Sequence, residues 1–133
     1  MKTTKRYLLI TSGVLFSILA TAFTFLLPPE MKFEELKHNF GFIRQGEIVS
    51  HEFTFTNNGD EPLLITNAEV QCVCTTVDFP KQPVMKGQKA VVKITFDTKS
   101  AIDRQERTVT LTSNAKNSPT VLTFKAVVLK KKE

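Results

Sequence analysis

The stretch Val49-Ser50-His51-Glu52-Phe53-Thr54-Phe55-Thr56 decides the fold. Val49, His51, Phe53 and Phe55 fall on one side of an extended chain, and Ser50, Glu52, Thr54 and Thr56 on the other. Successive side chains of a strand point to opposite faces. A period of two therefore reads as a strand with one face on a core and the other toward water. Asn57-Asn58-Gly59-Asp60 follows directly. These residues tolerate positive φ or bond their own backbone, so the chain reverses or crosses to a second sheet there.

The same period extends toward the C-terminus. Leu63–Ile65 opens the next strand, and the opposite parity of Ile65 and Val70 predicts a bulge around Asn67-Ala68. Val70, Cys72 and Cys74 then share one side of a continuing strand. Pro80, Pro83 and Gly87 mark a loop through Lys86. Val92, Ile94 and Phe96 line a further strand, and Thr98–Asp103 forms a polar connection. Val109 and Leu111 point inward from Arg107–Thr112, Ser113 to Pro119 turns the chain, and Leu122, Phe124, Ala126 and Val128 line the last strand. Toward the N-terminus, Arg44-Gln45-Gly46-Glu47 is a turn, and Phe40-Gly41-Phe42 sets two aromatics on one face. A less regular Phe33–Leu36 forms the first strand. Seven or eight short strands divided by turn signals predict an all-β, Ig-like antiparallel β-sandwich. There is no Trp, and the only two cysteines are too close in sequence to bridge distant strands, so the antibody-type disulfide is excluded.

The 133 residues suffice for one such domain, residues 30–133, behind an N-terminal segment, residues 1–29. The net charge of +5 misleads: Lys2, Lys5 and Arg6 precede the domain and no acid does, which leaves the domain at +2. Without a basic stripe and interleaved aromatics, nucleic acid is not an expected partner. Lys130-Lys131-Lys132 reads as a solvated tail. Behind Lys2, Lys5 and Arg6, Tyr7–Leu27 runs without a charge to Pro28-Pro29. As a helix it would span about 31 Å, roughly one hydrocarbon core. Two readings follow. Ala20-Thr21-Ala22 suits signal cleavage, which would release a secreted or periplasmic domain. The continuing Phe23-Thr24-Phe25-Leu26-Leu27 favours an uncleaved single-pass anchor with the domain outside. No cysteine lies near the end of the run, so lipoprotein attachment is excluded.

The order Phe40-Gly41, Gly46, Phe53-x-Phe55-x-Asn57-x-Gly59, Pro62-Leu63-x-Ile65, Cys72-x-Cys74-Thr75, Gly87, Phe96-Asp97 and Ser113-Asn114 resembles the bacterial family called domain of unknown function 1573. The resemblance covers residues 33–128. It implies a Hydin-type, Ig-like fold and a place in the cell envelope, with no established activity. Val73 stands where the family often has Gly, and Lys86-Gly87 where it often has Pro-Gly.

Cys72 and Cys74 are the candidate site residues, with three readings. An exported pair is free to oxidise. In a strand, however, the Cα atoms of i and i+2 lie about 6.5–7 Å apart, at the edge of disulfide geometry. A strained bridge would need Val73 to leave the extended conformation, which a β-branched residue resists. Alternatively both are small core thiols. In the third reading, two thiolates with His51 or His38 and Met85 hold Cu(I) or Zn²⁺. His51 is otherwise a rim imidazole with one hydrogen bond, and His38 a solvated residue of a polar connection. No nucleophile, phosphate-loop or metalloprotease motif occurs, and Asp97, Asp103 and Glu106 read as a charged loop, so neither an enzyme nor a cofactor is expected. The expected function is a non-catalytic Ig-like interaction module displayed on the extracytoplasmic side of a bacterial membrane, its partner an unidentified protein or other cell-envelope component. The alternative is a small thiol-redox or metal-handling protein using Cys72 and Cys74.

Overall fold

The structure is a computed structural model and describes residues 23–132. The basic N-terminus, the cleavage signal Ala20-Thr21-Ala22 and the expected hydrophobic helix up to residue 22 lie outside the described residues. Phe23–Leu27 has no regular secondary structure, and its four large apolar side chains are exposed. Among the described residues no helix is long and apolar enough to cross a membrane.

Eight strands form among these residues: β1 (Met31–Phe33), β2 (Lys37–Arg44), β3 (Ile48–Asn57), β4 (Ile65–Val70), β5 (Thr75–Asp78), β6 (Lys89–Asp97), β7 (Asp103–Ser113) and β8 (Thr120–Leu129). They build two four-stranded sheets, β1-β3-β6-β5 and β2-β8-β7-β4. The fully antiparallel expectation needs one correction, because β2 pairs with β8 in parallel. No turn reverses the chain between β1 and β2. Glu34–Leu36 carries it from one sheet to the other.

The alternation around Phe53 becomes the core. Phe53, Phe55, Val92, Ile94 and Phe96 of one sheet face Val109, Leu111, Leu122 and Phe124 of the other, all fully buried. The Phe96 and Phe124 ring centroids, 5.2 Å apart, join the two layers. At about 25 cal/mol per Å² of apolar surface, this burial is the main favourable contribution to folding.

Three local readings are corrected. Gly41 takes φ +72° and shifts the β2–β8 register between Asn39 and Phe42. That bulge separates the two aromatics: Phe40 packs on Phe124, whereas Phe42 is exposed and Ile43 buried. The β4 irregularity falls between Ile65 and Asn67, slightly ahead of the Asn67-Ala68 expected. The first strand is Met31–Phe33 rather than Phe33–Leu36, because Met31 is the residue with a buried side to occupy.

Asn57 is a buried polar residue with every side-chain group satisfied. Its Oδ1 accepts from the Gly59 N–H at 3.0 Å and the Glu30 N–H at 3.4 Å. Its Nδ2 donates to the carbonyls of Glu61 at 2.7 Å and Val84 at 2.9 Å. Gly59 is required for space: a Cβ there would stand 2.1 Å from the Pro28 carbonyl oxygen. Asn57 and Gly59 thus fasten the entering chain, the crossing between sheets and the β5–β6 loop at one end of the sandwich. Asp60, next to them, accepts from Lys86 and from the Leu27 N–H, and these two donors hold its carboxyl below the usual value.

Candidate functional site

The cysteines lie at the other end of the sandwich. β4 stops at Val70 and β5 starts at Thr75, so Gln71–Cys74 crosses from one sheet to the other. The expectation that Cys72 and Cys74 continue a strand is corrected here. The alternation Val70-x-Cys72-x-Cys74 looks like a strand, but a turn replaces it. Cys72 and Cys74 form a disulfide with their Cα atoms 5.1 Å apart, shorter than an extended chain allows. Val73 has left the extended conformation and projects fully exposed from the turn. The Cys74 N–H points at Cys72 Sγ at 3.1 Å, the Thr75 N–H donates to the Cys72 carbonyl at 3.1 Å, and the Asp97 N–H donates to the Cys74 carbonyl at 2.9 Å. The turn is therefore tied to β6 by backbone as well as by sulfur.

Beside this turn, on the outer face of the β1-β3-β6-β5 sheet, opens a cleft of about 660 Å³. Ile48, Val73 and the disulfide make its apolar wall, and Asp97, Lys99 and Thr95 its polar rim. Neighbouring elements hold the rim in place. The buried Thr98 hydroxyl donates to the Glu47 carbonyl at 2.6 Å and accepts from the Gly46 N–H at 3.0 Å. Asp97 Oδ1 accepts from the Lys99 N–H at 2.9 Å. Of the carboxylates read as a charged loop, only Asp97 reaches the cleft, while Glu106 pairs with Lys125 at 3.3 Å.

A bond between residues two apart closes so short a ring that it restricts the unfolded chain very little. Reduction is therefore expected to cost at most about 1.6 kcal/mol, which is roughly 10 °C or less in melting temperature. Because both sulfurs are only half-buried, a Cys72→Ser/Cys74→Ser double variant should behave similarly. Thermal melts of the oxidised, reduced and double-Ser proteins check this, and a loss several times larger would make the bridge structural.

The sulfur–histidine metal site is not assembled. His51 is on the inner side of β3, whereas the cysteine cleft opens on the outer side of the same sheet. Met85 lies in the β5–β6 loop at the Asn57 end. His51 meets other partners instead. His38, on β2, stacks on it with ring centroids 3.5 Å apart and planes 8° from parallel, so His38 is not a solvated residue of a connection. Glu35, in the β1–β2 link, places Oε1 2.5 Å from His51 Nε2 and 4.0 Å from His38 Nδ1. Burial pushes the His38 imidazole below the usual histidine value, the neighbouring His51 adds to this, and Glu35 opposes it. Glu35 gave no signal in the sequence, because only the crossing between sheets brings it to the two rings.

A family model described as "Protein of unknown function (DUF1573)" matches residues 31–128. No curated protein matches the chain. Among solved structures, a protein of unknown function from Porphyromonas gingivalis W83 superposes with a TM-score of 0.67 at 15% identity, covering 74% of this chain and 46% of that one. The ASH/PapD-like domain 7 of human CEP192 gives 0.60 at 10% identity, covering 86% and 95%. The secreted serine protease VesC of Vibrio cholerae gives 0.58 at 16% identity, covering 74% and 23%. The chain thus spans under half the length of the Porphyromonas and Vibrio proteins it resembles, and at these identities the likeness is one of fold.

Proposed function

The chain belongs to the DUF1573 family, and on that footing we propose that it is a non-catalytic Ig-like interaction module, displayed on the extracytoplasmic side of a bacterial membrane and binding a cell-envelope protein. The observation that carries this reading is Val73, a fully exposed apolar side chain at the tip of a disulfide-closed turn beside an apolar-walled cleft. A lone exposed apolar residue is ordinary. One held rigid beside a cleft is pre-organised for a partner's apolar side chain, with little ordering entropy left to lose on binding. Loops at the end of a rigid sandwich commonly carry recognition. Display outside the cytoplasm is supported by the uncharged run Tyr7–Leu27 behind three basic residues, by the exposed Phe23, Phe25, Leu26 and Leu27, and by the disulfide itself.

A photo-reactive residue placed at Ser100 on the cleft of the full chain, in intact cells, is expected to give one discrete protein adduct. Val73→Asp should abolish the adduct and leave the melting temperature within about 2 °C, as for an exposed surface change. No adduct, or one indifferent to Val73→Asp, would rule the cleft out as the binding surface. The thiol-redox reading retains one supporting observation: Cys72 Sγ receives the Cys74 N–H, which would stabilise a thiolate there on reduction. It requires an adduct held by a disulfide and lost in the double-Ser variant.

A further inference from the structure

We propose that Glu35, His38 and His51 form a binding site for a divalent transition cation of the zinc class. The three donors come from three places that the fold brings together: the link between the sheets, β2 of one sheet and β3 of the other. One donor atom from each lies within 4.8 Å of the others. Zinc bound to imidazole nitrogen and carboxylate oxygen at about 2.0–2.2 Å sets tetrahedral ligands roughly 3.3 Å apart. Glu35 Oε1 is 2.5 Å from His51 Nε2 and 4.0 Å from His38 Nδ1, so these two contacts have to change by less than about 1 Å, and the two imidazole donors, within 4.8 Å, by at most about 1.5 Å.

The chemistry of the set selects the ion. Two imidazoles and one carboxylate suit zinc, copper(II) or nickel, whereas calcium and magnesium require oxygen ligands. Binding displaces the proton of the His51–Glu35 hydrogen bond. The two rings are parallel, so an ion in the plane of one lies outside the plane of the other, and the half-exposed His38 ring turns out of the stack to coordinate. Apolar rings back the imidazoles in T-shaped contacts: the Phe40 centroid stands 4.7 Å from that of His38, and the Phe53 centroid 4.8 Å from that of His51. Glu35 faces solvent, and water completes the coordination. The bound ion would clip the β1–β2 link to both sheets.

The test uses the full-length chain with its disulfide intact, melted in chelator and in zinc sulfate. At a hundredfold excess over Kd, zinc should raise the melting temperature by on the order of 10 °C. Magnesium at the same concentration should leave it unchanged. His38→Ala, a half-exposed site chosen so that the fold survives, should lose nearly all of the zinc-dependent increment, and Glu35→Gln most of it. Ring-nitrogen NMR of the two histidines should shift with one equivalent of zinc. If wild type shows no increment, or the variants keep it, the trio is a packed histidine pair with an ion-paired carboxylate and not a cation site.

Discussion

Phe53→Ala is expected to cost the domain about 3–5 kcal/mol, and Phe55→Ala as much. Both rings are fully buried on β3, opposite Val92 and Ala90 of β6. Phe53 also meets His51 in a T-shaped contact, and Phe55 packs on Phe33 with ring centroids 5.3 Å apart. Truncation removes the transfer free energy of the ring and leaves a cavity that strands tied on both sides cannot close. A domain of this size has a total stability of about 5–15 kcal/mol, so either change brings it near unfolding. Thr54→Ala, between them on the outer face, should cost less than half as much. Denaturant unfolding of the three variants measures this, and equal losses would mean that β3 is read in the wrong register.

Asn57→Ala should be the next most damaging change, at about 2–4 kcal/mol. It removes four hydrogen bonds and leaves the Gly59 N–H unpaired inside the sandwich, with the Val84 carbonyl keeping only the Leu63 N–H. Leaving a buried polar group unmade costs more than the bond it once formed. Asn57→Asp should also be destabilising, because a carboxylate cannot donate to the Glu61 and Val84 carbonyls and would face them with like partial charge. Asn58→Ala is the control: its amide is exposed and reaches only the Glu30 carboxylate, at 3.2 Å. Urea melts that fail to separate Asn57 from Asn58 would remove Asn57 from its fastening role.

The strands were legible because burial on one face writes a period of two into the residues themselves. Phe53, Phe55, Val92, Ile94, Phe96, Leu122 and Phe124 needed nothing else. What failed were places where backbone conformation overrides parity. Gly41 flips the sense of β2 by adopting positive φ, and Val70-x-Cys72-x-Cys74 keeps strand parity across what is a turn. Asn57-Asn58-Gly59 was legible as a turn, but two of the four bonds of the Asn57 side chain reach Glu30 and Val84, each almost thirty residues away. The Glu35–His38–His51 group was invisible for a stronger reason: its members come from the β1–β2 link, β2 of one sheet and β3 of the other, and meet only through the packing of the two sheets.

Stability resides in the aromatic core and the Asn57 end, while the Cys72–Cys74 turn is a local device. Amide hydrogen exchange of the full chain, oxidised and reduced, tests that division most directly, because protection reports the free energy of opening residue by residue. The expected result is that Phe53, Phe55, Ile94, Phe96 and Phe124 keep the same slow exchange in both states, and only Cys74, Thr75 and Asp97 exchange faster on reduction. A uniform loss of protection across both sheets on reduction would contradict it.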